Sequence, residues 1–102
     1  MKILYSHAFI DDVAGISRYV EHELNNPKAA TSLKSGFFDE IQRLKESPFL
    51  GEQLPSFLRV GNADLRRLVF KNYIIVYRVI DETVIAERVF YGRRDWISIL
   101  LS

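Results

Sequence analysis

The stretch from Leu65 to Tyr91 constrains this chain more than any other. It reads as three strands joined by two very short turns, Lys71-Asn72 and Asp81-Glu82. Turns of two residues leave the strands no choice but an antiparallel meander. Arginines at 66, 67, 78 and 88 stand where a sheet should be apolar, and Arg93-Arg94-Asp95 closes the run. Arginine on the inward rhythm of a sheet is costly unless an anion or a carboxylate meets it. The sheet is therefore where function should be sought.

The turns also fix a register, because residues directly opposite in a hairpin share a face. With Lys71-Asn72 as a turn, Phe70 pairs Tyr73, Leu68 pairs Ile75 and Arg66 pairs Tyr77. With Asp81-Glu82 as the next, Val79 pairs Val84 and Tyr77 pairs Ala86. The first face then holds Arg66, Leu68, Phe70, Tyr73, Ile75, Tyr77, Val79, Val84, Ala86, Arg88 and Phe90. The second holds Leu65, Arg67, Val69, Ile74, Val76, Arg78, Ile80, Thr83, Ile85, Glu87, Val89 and Tyr91. The first has the aromatic bulk to pack under helices. The second mixes apolar residues with Arg67, Arg78, Glu87 and Tyr91, and Arg93 and Arg94 follow at its rim. A slip of one residue would exchange the two sets.

The helices come from the other half. Met1–Tyr5 reads as a short strand, and Ser6 as the N-cap of a helix running to about Asn25, with Asp11 and Asp12 in its early turns. Phe9, Val13, Ile16, Val20 and Leu24 form its apolar stripe. Asn26-Pro27 restarts the chain as N-cap and first helical residue. Ala30, Leu33, Phe37, Ile41 and Leu44 form a second stripe that ends at Ser47-Pro48. So short a break predicts an antiparallel helical hairpin. A turn-rich connection from Pro48 to Ser56 leads to a short strand at 57–60 and a turn at Gly61-Asn62. Residues 95–101 read as a short terminal helix or extension. The expected fold is α+β: an N-terminal strand, a helical hairpin packed on a small antiparallel sheet, and a C-terminal helix or tail, with 1–102 as one domain.

Charge divides along the same line. Residues 1–56 carry six Lys/Arg against eight Asp/Glu, and residues 57–102 carry eight against five, seven of those eight being arginine. Arginine suits bidentate recognition of phosphate or carboxylate, but a net charge of +1 does not suggest non-specific duplex binding. The absence of cysteine excludes disulfides, thiolate nucleophiles and cysteine zinc sites. No apolar run approaches the roughly 20 residues of a membrane span, and Met1–Ser6 is not a signal peptide. A soluble cytoplasmic protein is expected.

The chemistry on offer is limited. Arg67, Arg78, Arg93 and Arg94, with Arg59 and Arg66 beside them, could bind phosphates or a partner's acidic helix; the competing reading is a solvated face with pairs such as Arg78 or Arg67 to Glu87. Tyr91 could stack on a base or move a proton, though a strand-end tyrosine with its hydroxyl in water is the commoner case. His7 and His22 lie in the acidic half without a second histidine at ligand spacing, so neither metal binding nor base chemistry is expected of them. No glycine-rich phosphate loop, nucleophile elbow or HExxH motif occurs. No cofactor and no metal is expected.

Ser47-Pro48, Gly51–Pro55, Leu65-Arg66, Asn72–Val79 and Val89-Phe90-Tyr91-Gly92-Arg93-Arg94-Asp95, in that order, resemble the RelE/ParE superfamily of bacterial toxins over essentially the whole chain. The resemblance implies a growth inhibitor neutralised by a cognate antitoxin whose C-terminal segment wraps it in a hetero-oligomer. RelE-like members cut mRNA in the ribosome; ParE-like members poison DNA gyrase. The ribonuclease branch carries an arginine after the tyrosine that opens the central strand, where this chain has Ile74. It carries a tyrosine in the C-terminal helix, where this chain has Leu100. The histidine-tyrosine ending of a related branch falls at Gly92 and Arg93. Arg94 matches an arginine beyond the last strand, and Arg67 could replace a strand lysine. The long hairpin and the Tyr-Gly-Arg-Arg-Asp ending are more similar to ParE. The resemblance thus implies a plasmid-stabilisation type of toxin acting on gyrase. mRNA cleavage is the alternative, with Arg94, Tyr91 and Arg67 as candidate catalytic residues. A non-toxic homologue that only binds antitoxin and represses the operon is the third reading. In every case Arg67, Arg78, Tyr91, Arg93 and Arg94 are the expected contact residues.

Overall fold

The computed structural model describes residues 1–58 and 64–101. In chain order the elements are β1 (Lys2–Tyr5), α1 (His7–Arg18), a π-helical turn (Tyr19–Glu23), α2 (Pro27–Gln42), a 3-10 turn (Arg43–Lys45), β2 (Glu52–Gln53), a 3-10 turn (Ser56–Leu58), β3 (Asp64–Phe70), β4 (Tyr73–Ile80), β5 (Thr83–Tyr91) and α3 (Trp96–Leu101). The strands form one five-stranded sheet in the order β1-β5-β4-β3-β2. The meander is antiparallel as expected, but β1 joins β5 in parallel, so the sheet is mixed. The fold is α+β.

Local signals account for the helix starts. The Ser6 hydroxyl accepts from the Phe9 N–H, and the Asn26 side chain accepts from the Ala29 N–H with Pro27 behind it in the first turn. Each satisfies a donor that the helix cannot. Both strand turns fall where the pattern put them. They are built without glycine, with positive φ at Lys71 (54°), Asp81 (46°) and Glu82 (58°).

Two layers of core result. Phe9, Val13, Val20, Leu33, Phe37, Ile41 and Leu44 from the helical half meet Leu68, Ile75, Tyr77, Val84, Ala86 and Val89 on the first sheet face. Gly36 allows α2 to come close to the sheet: a Cβ there would lie 2.4 Å from the Phe70 ring. The second face has its own smaller cluster, in which Leu54, Leu58 and Trp96 cover Ile74, Val76 and Phe90. It is not an open face.

Four expectations need correction. The first is the face of the last residues of β5. Tyr77 is opposite Ala86 but Val76 is opposite Arg88, so Glu87 is an extra, bulged residue. A bulge reverses the alternation beyond it. Arg88 and Phe90 therefore belong to the second face, and Val89 and Tyr91 to the first. The second is Leu24, which the stripe placed in the core: the π-helical turn carries it to the surface. The third is Phe57-Leu58, which form a 3-10 turn rather than a strand. The remainder of that expected strand and turn, Arg59 to Asn62, lies outside the described residues. The fourth is Asp12, which is not spent on the helix dipole but on β5.

Candidate functional site: a groove between the helical hairpin and the last strand

β1 pairs with β5 only from Thr83 to Ala86, which leaves Glu87–Tyr91 without a strand on that edge. Beyond Tyr5 the chain turns into α1, which must satisfy the exposed strand edge with side chains. The Ser6 hydroxyl donates to the Glu87 carbonyl at 2.8 Å, and the Asp12 carboxylate accepts from the Val89 N–H at 2.8 Å. The same carboxylate takes Arg88 in two bonds, 2.8 Å and 3.2 Å, which raises the already high guanidinium pKa. α1 is thereby pinned across the edge, and strand addition at this point of β5 is blocked.

A groove of about 820 Å³ opens beyond the pin. One wall is α1 and the π-helical turn, with Asp11, Gly15, Ile16, Tyr19, Val20 and Leu24. The floor and far wall come from Asn72, Tyr73, Val89, Tyr91, Arg94 and Ile99. Tyr73 and Tyr91 meet edge to face at 5.7 Å. Burial, then the neighbouring Tyr91 and Tyr19 phenols, push the Tyr73 pKa above its usual value. A phenol held neutral in this way is a donor, not a base.

The bulge decides which expected residues meet here. By turning Tyr91 to the first face it places that residue with Arg94 in the groove. Arg67 and Arg78 do not line it. Arg67 donates to Glu52 at 3.0 Å and lies over the Trp96 ring, and Arg78 donates to Glu87 at 3.0 Å. The local pairing weighed for these two is present, with Glu52 as the additional partner. Arg66 is paired with Asp64 and bonds the Gly51 carbonyl at 2.9 Å. Arg93 precedes the groove in the exposed turn, and Arg59 lies outside the described residues. Among the described residues, Arg18, Arg93 and Arg94 are the arginines without a carboxylate partner. Arg18 folds toward the groove wall, its guanidinium 4.0 Å from where a Cβ of Gly15 would stand.

Sequence reasoning missed Asp12, Tyr19 and Asn72 as site residues. Asp12 meets Val89 beyond the bulge at Glu87, Tyr19 opens the π-helical turn and Asn72 sits in the β3–β4 turn; neither irregularity has a marker in the chain. No group of histidine, cysteine and carboxylate side chains able to hold a metal occurs among the described residues. No helix there is long and apolar enough to cross a membrane.

A helical hairpin on a mixed five-stranded sheet, with an aromatic groove beside the last strand, defines the class as a small α+β protein. Residues 3–96 match the family model described as ParE toxin of type II toxin-antitoxin system, parDE. The chain belongs to the ParE toxin family of type II toxin–antitoxin systems. A solved structure described as the chromosomal ParDE TA system from P. aeruginosa matches with a TM-score of 0.72 at 17% identity, over 89% of this chain and 95% of that one. At that identity the likeness is one of fold. No curated protein matches the chain.

Proposed function

We propose that this toxin inhibits growth by acting on DNA gyrase, and that its antitoxin silences it by seating an apolar, acidic segment in the groove. The observation carrying the second part is the placement of unpaired cations. The five other described arginines are matched with carboxylates of the chain itself, whereas Arg94 lines the groove and Arg18 and Arg93 flank it. Because the Asp12 pin occupies the β5 edge, the incoming segment docks through side chains, as a helix laid in a groove, rather than as an added strand.

Gyrase is favoured over RNA by what occupies the ribonuclease positions. Ile74 is buried in the second cluster and Leu100 packs against it. Residues serving a core leave no cation or phenol there to hold a phosphate or move a proton. In the groove itself Asp12 is committed to Arg88 and Val89, and Tyr73 is held neutral.

The test pairs a gyrase supercoiling assay with primer extension on cellular mRNA after induction. Inhibited supercoiling with intact mRNA is expected; ribosome-dependent cleavage with gyrase unaffected would overturn the reading and make Tyr91 and Arg94 catalytic. Arg94→Ala should weaken antitoxin binding by about 10- to 100-fold, the usual loss of a charge-assisted hydrogen bond.

A further inference from the structure

The helical hairpin departs from regular winding at Tyr19–Glu23, beside the groove. α1 buries Phe9, Val13 and Val20 in order. Continued α-helical winding would stack Leu24 beneath Val20, four residues on. Instead Tyr19–Glu23 winds as a π-helix, and the Leu24 N–H reaches the Tyr19 carbonyl at 3.3 Å, five residues back. The wider turn retards the rotation of everything after it. Val20 stays 7% exposed, while Tyr19 and Leu24 are 56% and 58% exposed on the groove rim. Such turns cost regular hydrogen bonding and tend to mark functional positions.

Charge of both signs stands at the rim: Arg18 precedes Tyr19 with its guanidinium close to Gly15, and Arg94 and Asp11 line the groove. An apolar ridge beside unpaired guanidiniums fits an apolar side chain flanked by carboxylates. We propose that Tyr19 and Leu24, exposed where the π-helical segment begins and ends, are the residues by which this toxin selects its antitoxin. The proposal rests on the toxin–antitoxin reading above and adds a discriminating function to two residues outside its cationic set. Arg94 supplies attraction common to any acidic segment; the rim supplies shape, which differs between partners.

The experiment uses full-length toxin with Tyr19→Ala, Leu24→Ser, or both. The probes are the purified product of the short open reading frame next to the toxin's gene and antitoxins from unrelated parDE modules. Circular dichroism and the thermal midpoint establish folding, which exposed substitutions should leave intact. Ile80→Ser, exposed on the other sheet face, serves as the surface control. The double variant should bind the cognate antitoxin about 10- to 100-fold more weakly, as loss of interface anchors does. It should lose discrimination against the unrelated antitoxins. Unchanged cognate affinity, or equal weakening toward every antitoxin by folded protein, would overturn the assignment. Failure of wild-type toxin to bind any flanking gene product would instead remove the toxin–antitoxin reading, and the rim proposal with it.

Discussion

The two faces of the sheet carry similar residues and use them differently. On the first, a helical hairpin supplies a continuous core, and α1 ends by leaving a groove with arginines unmatched around it. On the second, a short connection and α3 supply Leu54, Leu58 and Trp96 as buried cover with Ile99 and Leu100 packed against them, and the arginines there are matched with Glu52, Glu87 and Asp12. Charge on a sheet is therefore no guide to binding by itself. What distinguishes the sites is whether the chain has already provided the counter-charge.

The largest effect should show how unequally the two cores stabilise the protein. Phe37 is fully buried against Phe70 and Tyr73, with ring centroids at 5.5 and 5.2 Å. Phe37→Ala should cost about 3–5 kcal/mol, enough to unfold much of a domain whose total stability is about 5–15 kcal/mol. Trp96→Ala removes the largest residue of the smaller cluster, but α3 has six residues and can detach locally. Its thermal midpoint should fall less, with hydrogen exchange accelerated in α3 alone. Equal midpoint shifts, with exchange uniform across the chain, would show one cooperative core rather than two.

This inequality also explains which parts of the fold were legible. Ser6, Asn26-Pro27, Lys71-Asn72 and Asp81-Glu82 act through their own neighbours, so local chemistry identified them. The hairpin stripes were legible for the same reason, down to Val20. The bulge at Glu87 and the π-helical turn are each one extra residue absorbed by a regular element. One carries Val89 to the face where its N–H meets Asp12 of α1, and the other turns Leu24 out of the stripe. No local preference records such a shift. The candidate site depends on both irregularities, which is why Tyr91 and Arg94 could be named while their shared groove could not.

A smaller effect distinguishes the groove end of the first face from its centre by pH. Burial raises the pKa of Tyr73 in the groove, and burial likewise raises that of Tyr77 beneath the hairpin, outweighing the Gly51 N–H that lowers it. Below pH ~10, the ordinary phenol value, both are neutral in folded and unfolded chains, and their full contribution is present. Above it the unfolded chain ionises first and binds fewer protons than the native state, so stability falls as pH rises through the native values. Urea midpoints measured between pH 9 and 11 should drop for the wild type. The drop should be shallower for Tyr73→Phe, which loses no strand or loop hydrogen bond. An identical slope in that variant would mean the groove end of the sheet is as hydrated as the unfolded chain.

The smallest effect belongs to the second-face arginines. Arg67→Gln with Arg78→Gln removes two guanidiniums whose pairs are partly open to water: Glu52 is 70% exposed and Arg78 37%. Exposed ion pairs of this kind contribute about 0–1 kcal/mol each, because water screens the attraction and two long side chains must be ordered to form it. Neither pair lies in the groove, and each guanidinium would have to abandon its carboxylate before it could meet a partner's. The double variant should lose little stability and bind antitoxin within about threefold of wild type, the range left to long-range steering when contact is absent. Arg94→Ala, with one cation removed rather than two, should be the weaker binder. If the double variant were weaker instead, the partner would be exchanging ion pairs on the second face, and unmatched charge would no longer be what marks the site.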